Sequence, residues 1–311
     1  MREMFVAGDA GRLAVVDHGG DGPDLLLLHG AHRNLVDWEP VRRRLTGLRL
    51  VALDLRGHGR SDPPAGDDYA WAGLLADVRA VIAQLGLHRP YLVGHSFGGM
   101  IAIEYAATHA DCAGVIDLDG FGGGVPELYP GITPEEFTRR RRAQIDRYVA
   151  MATPESVDAP EANRIIAQAR AVATMVGWDP NDEEAAARRG LVPLPDGRYA
   201  RRPRPAAVGA MMAPLTGWDA FGRLRHLTCD ALVVQGGRTP PLDHLPEDLR
   251  ELTAALVAGI TAQIDALVAE GGRVRALRLP DAGHMVQLDE PATVARLIRD
   301  FVLDRAVTRA G

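Results

Sequence analysis

Leu92-Val93-Gly94-His95-Ser96-Phe97-Gly98-Gly99-Met100 is the stretch on which the fold turns. An apolar run ends in Gly-x-Ser-x-Gly, and helical spacing follows to about Ala107. A strand, a tight turn and a helix in that order hold a serine hydroxyl out at a helix N-terminus. Gly94 and Gly98 answer to the tightness of the turn, because a Cβ at either position meets the neighbouring strand or helix. The helix dipole favours negative charge developing there, which makes Ser96 the candidate nucleophile.

Outward from this turn, short apolar runs alternate with helical patterns through the first 120 residues. Asp24 to Leu28, Leu50 to Leu53, Tyr91 to Val93 and Gly114 to Leu118 read as strands. Trp38 to Leu45 and Trp71 to Leu85 read as helices. Strands apolar on both faces and separated by helices predict a parallel sheet covered on both sides, hence an α/β fold. From 121 to 225 no strand of that kind is found. Thr133-Pro134-Glu135-Glu136 and Asn181-Asp182-Glu183-Glu184 carry helix-start signals there, and Gly190 a stop signal. The sheet pattern resumes at Ala231 to Gln235 and at Val274 to Leu279, around a long helix from Glu247 to Ala269; a last helix covers Pro291 to Leu303. The expected organisation is a core built from 1–120 and 226–311, with 121–225 inserted as a helical cap.

Composition narrows the chemistry. The chain has 311 residues, 35 basic against 41 acidic side chains and a formal net charge of −6, and every basic residue is arginine. Without lysine there is no Schiff-base chemistry of the pyridoxal-phosphate or class I aldolase type, and no phosphate-loop signature. Mild acidity, with no basic tract longer than Arg139 to Arg142, argues against nucleic acid as a partner. Cys112 and Cys229 lie far apart, fit neither a zinc pattern nor a disulfide framework, and read as small core residues. No His, Asp and Glu cluster has metal-ligand spacing, and no Gly-x-Gly-x-x-Gly follows the first strand, so neither metal nor cofactor is expected. Met1 to Val16 holds no long apolar run, so no signal peptide and no bilayer span are expected, and the cytoplasm is the expected location. A homodimer is left open.

Three more motifs join the first. Leu25-Leu26-Leu27-Leu28-His29-Gly30-Ala31 is a strand ending in His-Gly, where His29 reads as a turn-fixing residue. Asp54-Leu55-Arg56-Gly57-His58-Gly59-Arg60-Ser61-Asp62 follows the next strand, and Leu279-Pro280-Asp281-Ala282-Gly283-His284-Met285 follows the last. In this order the four motifs resemble the α/β-hydrolase family over the whole chain, with 121–225 as the family's cap insertion. The resemblance implies the α/β-hydrolase fold, with a mostly parallel sheet flanked by helices. It implies a structural role for Asp54 to Ser61, an oxyanion hole from the backbone N–H groups of Ala31 and Phe97, and His284 as the base for Ser96.

The acid departs from the common pattern. Many relatives place an aspartate where Gly236-Gly237-Arg238-Thr239 has threonine. Asp119, Asp243 and Asp117 are the alternatives. Asp117 and Asp119 share a face unless the chain turns between them. Asp119 lies nearest the carboxyl edge of the sheet and Gly120 permits a turn, so Asp119 is preferred and Asp243 is the alternative acid. Family members that dehalogenate haloalkanes or open epoxides need aspartate at the elbow; Ser96 leaves an acyl-enzyme instead. The expected function is hydrolysis of a small or medium hydrophobic carboxylic ester or lactone. Hydrolysis of a C–C bond or thioester is the alternative, and a non-catalytic ligand-binding role the third reading. His32, Arg33 and Asn34 at the entrance, and Trp178, Met211, Met212 and Trp218 as an apolar wall, are candidate pocket residues. Packing between cap and core is the competing reading for each.

Overall fold

Leu25, Leu26, Leu27 and Leu28 are each fully buried, which a strand achieves only when both its faces are covered. Leu26 and Leu28 belong to one hydrophobic cluster and Leu25 and Leu27 to another, as the two-residue period of a strand requires. Each buried leucine contributes about 1.5–3 kcal/mol of transfer free energy, so this run alone commits the chain to a two-faced sheet.

The computed structural model describes residues 1–150, 154–239 and 246–308. Its main sheet has eight strands: β1 (Arg2–Ala7), β2 (Arg12–Gly19), β3 (Asp24–Leu28), β4 (Arg49–Leu53), β5 (Tyr91–His95), β6 (Gly114–Leu118), β7 (Asp230–Gly236) and β8 (Val274–Leu279). Their spatial order is β1-β2-β4-β3-β5-β6-β7-β8. Strands β3 to β8 pair in parallel, and β1 and β2 join antiparallel at one edge. The longer helices are α1 (Trp71–Gln84), α2 (Phe97–Thr108), α3 (Pro134–Ala150), α4 (Ala159–Val176), α5 (Pro180–Arg189), α6 (Glu247–Glu270) and α7 (Pro291–Thr308). This is the α/β-hydrolase fold, with a mainly helical segment inserted between β6 and β7.

Several local expectations need correction. The β1–β2 hairpin escapes the sequence pattern because its strands lie at the sheet edge and carry Arg2, Glu3, Asp17 and His18 among their apolar residues. The helix expected over 38–45 contracts to a 3₁₀ turn at Leu35–Trp38 and a single turn at Glu39–Arg42. The inserted segment holds no strand of the core kind, as expected, but Ser156–Val157, Tyr199–Arg201 and Leu191–Pro193 form a small separate antiparallel sheet, each strand too short to show a period. Helix α4 lacks the notice given to its neighbours, yet it is well capped. Asp158 accepts from Glu161 N–H at its start, and Gly177 ends it in the left-handed region at φ 84°. The cysteines, far apart in sequence, meet in space with 4.0 Å between sulfurs, because they precede the adjacent strands β6 and β7. Helix α6 is apolar enough over 24 residues to match a membrane span by length and composition. It buries Leu252, Ile260, Ile264 and Leu267 against the core.

Ion pairs fasten the inserted segment to the core, among them those of Arg189 and Arg33. The Arg189 guanidinium of α5 donates to buried Asp54 at 2.7 Å. Asp54 also accepts from Leu35 and Arg60 N–H, so the loop after β4 has the structural role expected of it. Arg33 donates to Asp37 and to Glu183 of α5, and these paired acids hold it well above the usual guanidinium range despite the opposing effect of burial.

His58, in the same loop, is fully buried and donates Nδ1–H to the Arg56 carbonyl at 2.8 Å. Burial pushes its pKa down to about 4. The unfolded chain therefore takes up a proton near pH 6.5 that the native chain refuses, so stability from this site is complete above that pH and drains away toward pH 4. We predict that the unfolding free energy of wild type relative to His58→Gln shrinks by about 3 kcal/mol across this window, measured by urea titration at successive pH values. A difference independent of pH refutes the assignment.

Candidate active site

The turn between β5 and α2 holds Ser96 at φ 50° and ψ −116°, a strained conformation for a residue with a side chain. Two backbone approaches keep it there. A Cβ on Gly98 would lie 2.5 Å from the Leu28 carbonyl carbon, so glycine alone lets α2 start against β3. Gly30 is just as confined: its Cβ would lie 2.8 Å from His95 Nδ1 and 3.3 Å from Ser96 Cβ. The 29–31 loop thereby lies directly beside the serine.

Ser96, His284 and Asp119 meet in one line. His284 Nε2 lies 3.0 Å from Ser96 Oγ, and Nδ1 lies 2.7 Å from Asp119 Oδ2. A carboxylate only accepts, so Nδ1 carries the ring proton and Nε2 is left with a lone pair facing the hydroxyl. This is the tautomer a general base needs. Asp119 is turned to the site by its own backbone, at φ 57°, and its Oδ1 accepts from Gly236 N–H at 3.0 Å. That turn separates it from Asp117. Asp117 stays fully buried beneath the elbow, where burial and then the charge of Asp119 push its pKa well up. Thr239 is exposed in the β7 turn, and Asp243 lies outside the described residues.

The two backbone donors implied by the family resemblance belong to segments that adjoin the serine. Phe97 is the first residue of α2, so its N–H has no acceptor within the helix. Ala31 N–H belongs to the loop fixed by His29, which donates Nδ1–H to the Gly30 carbonyl at 2.7 Å and accepts Leu55 N–H at 3.0 Å. Full burial keeps that ring neutral, with its pKa well below the ordinary value. The arrangement therefore sets a base against the serine hydroxyl, with an unpaired helix N-terminal N–H next to it in the chain.

Two supports of His284 are invisible in the sequence. His95 donates Nε2–H to the His284 carbonyl at 2.9 Å, and burial, reinforced by His284, pushes the His95 pKa down to about 3. Asp289 accepts from Gly283 N–H at 2.7 Å, from Arg238 Nη2 at 3.0 Å and from Trp178 Nε1 at 2.7 Å. Two of these donors lie 51 and 111 residues away in the chain, so no local pattern announces the hub. Asp289→Ala is predicted to lower kcat for a small ester about 10- to 100-fold while KM moves much less, because the histidine loop loses its register. Trp178→Phe removes one donor of the three and has the smaller effect. Equal changes in kcat and KM from steady-state kinetics would contradict this.

The other pocket candidates separate. His32 is exposed just past the oxyanion loop, at φ 62°, while Arg33 and Asn34 are tied to α5. Met211 and Trp218 are instead core residues, fully or almost fully buried. Trp218 donates to buried Glu104 at 2.7 Å and packs on Trp71. For these two the competing reading, packing, is correct. Met212 packs partly buried against the same cluster. Trp178 serves as a donor to Asp289.

With the sheet, the elbow and the late histidine in place, the class follows: the chain belongs to the alpha/beta hydrolase family, which it matches over residues 25–297. It is 27% identical to epoxide hydrolase A of Mycobacterium tuberculosis, an alignment covering 96% of this chain and 97% of that one. It is 35% identical to a fluoroacetate dehalogenase of a Burkholderia species over 49% of this chain and 46% of the relative. The chain spans about half the length, or less, of several curated relatives it matches. Among solved structures, E-2-(acetamidomethylene)succinate hydrolase superposes with a TM-score of 0.69 at 24% identity, covering 97% of this chain and 99% of that one. A thermophilic esterase from Thermogutta terrifontis superposes at 0.65 and 21%, covering 98% and 99%. These two likenesses speak for the fold.

Proposed function

We propose that this hydrolase cleaves a carboxylic ester or a lactone through an acyl-enzyme on Ser96. The observation that carries the reading is the pair of distances around His284: 3.0 Å to Ser96 Oγ and 2.7 Å to Asp119 Oδ2. Ser96 Oγ attacks the carbonyl carbon as its proton passes to His284 Nε2, and Asp119 balances the imidazolium. The carbonyl oxygen, now negative, accepts from the Ala31 and Phe97 N–H groups. His284 returns the proton to the departing alkoxide, then takes one from water, whose oxygen attacks the acyl carbon. Collapse releases the carboxylic acid and restores the serine.

Relatives include proteins named for epoxide hydrolysis and for fluoroacetate dehalogenation. With a hydroxyl at residue 96 there is no carboxylate to form an alkyl-enzyme ester, which favours the acyl route. The test uses the purified chain, a fluorophosphonate probe and a panel of para-nitrophenyl esters, lactones and a thioester. Labelling of Ser96 with turnover of esters or lactones is expected. An unlabelled wild-type protein overturns the reading, and turnover of the thioester alone moves it to a different bond.

A further inference from the structure

Two cavities meet at Arg202. The larger, about 540 Å³, lies between the β1–β2 hairpin and the inserted segment, with Phe5, Ile166, Leu191 and Tyr199 among its apolar walls. The smaller, about 200 Å³, includes His32 in its lining and shares Leu191 and Arg202 with the larger. His32 directly follows Ala31, so the smaller cavity reaches the loop that carries the candidate oxyanion donor.

Arginines border the larger cavity, and all but one are neutralised. Arg12 pairs with Asp62, Arg60 with Glu3, Arg188 with Glu184, and Arg189 with Asp54 and Glu3. Among the described residues Arg202 has no carboxylate within ion-pair distance. Its guanidinium makes one hydrogen bond, from Nη1 to the Ser61 carbonyl at 2.9 Å. A guanidinium has five N–H donors, so most of this one is unused. The group is half-buried, and burial holds its pKa below the usual guanidinium range against the opposing pull of Asp62, which lies beyond ion-pair distance and is itself paired with Arg12. A planar, partly desolvated fork of donors matches a carboxylate better than any neutral group. The apolar walls beside it accommodate a hydrocarbon chain, and the shared lining brings that space next to His32, the residue after the candidate oxyanion donor.

We propose that Arg202 binds a carboxylate at the far end of the substrate from the scissile bond, so that the preferred substrates are half-esters of short dicarboxylic acids or lactones bearing a distal carboxylate. The inference rests on the acyl-enzyme reading and specifies its substrate class. One end of the substrate acylates Ser96 while the other is clamped by Arg202, with the apolar spacer lying along Leu191.

The test compares mono-para-nitrophenyl esters of diacids of four to eight carbons with neutral esters of equal length, in wild type, Arg202→Gln and Arg202→Lys. The quantity read is the ratio of kcat/KM for the anionic and neutral members of each pair. Wild type is expected to favour the anionic ester at one chain length. Arg202→Gln is expected to lower that ratio about 10- to 100-fold, mainly through KM, and Arg202→Lys to recover part of it. A cap merely loosened by the substitution slows both esters and leaves the ratio in place, which overturns the proposal, as does a wild-type preference for the neutral ester. A second reading does not depend on turnover. By calorimetry, Ser96→Ala protein should bind the free diacid of the favoured length, and adding Arg202→Gln should abolish that binding; equal binding by both proteins also overturns it. Labelled Ser96 with an unchanged ratio removes only the carboxylate site, whereas unlabelled Ser96 removes the acyl-enzyme reading beneath it.

Discussion

Ser96→Ala should abolish fluorophosphonate labelling and lower kcat for a para-nitrophenyl ester by at least about 10⁴-fold. The substitution removes the only atom that attacks. The oxyanion donors at Ala31 and Phe97 and the binding surface stay in place, so a residual rate above that in water persists. The fold should survive intact, because alanine retains the Cβ and occupies the same φ of 50° that serine already endures. Circular dichroism and the melting temperature should therefore match wild type while activity vanishes. Retained turnover would mean that another residue carries the acyl group.

Asp119→Asn should cost about 10³- to 10⁴-fold in kcat with little change in KM. The reason lies in the tautomer. Asp119 Oδ1 accepts Gly236 N–H at 3.0 Å, so an asparagine keeps its carbonyl oxygen there and turns its NH₂ toward His284 Nδ1. The ring must then accept at Nδ1 and carry its proton on Nε2, pointing at Ser96 Oγ, where it cannot take a proton. Asp117→Asn provides the contrast. Burial and the neighbouring Asp119 charge push that carboxyl toward its neutral form, and a neutral amide of the same shape should leave kcat within a few-fold of wild type. Asp243→Asn should likewise be mild. Should Asp243→Asn cause the large loss and Asp119→Asn the small one, the acid has been misassigned.

The core of this protein is readable because its signals are local. A run of four leucines, Leu25 to Leu28, can bury both faces only in the middle of a covered sheet, and Gly-x-Ser-x-Gly between strand and helix dictates its own turn. Ser96 and His284 each stand in such a run. The edge hairpin and the three small strands of the inserted segment are opaque for the opposite reason. They are short or half-exposed, and their pairing is secured by neighbours and not by their own periodicity.

By itself the sequence determined the parallel α/β sheet, the position of its strained serine, the exclusion of lysine chemistry and the late histidine, because bond geometry and side-chain burial act over a few residues. Only the tertiary structure decided which aspartate faces His284, since that depends on a backbone reversal at Asp119 and on a donor from Gly236 more than a hundred residues later. It also decided that Met211 and Trp218 are buried in the core, that Asp289 gathers donors from residues 178, 238 and 283, and that of the arginines bordering the larger cavity Arg202 alone lacks a paired acid among the described residues. Electrostatic compensation is a property of distances in space, and those are set only when the chain has closed upon itself.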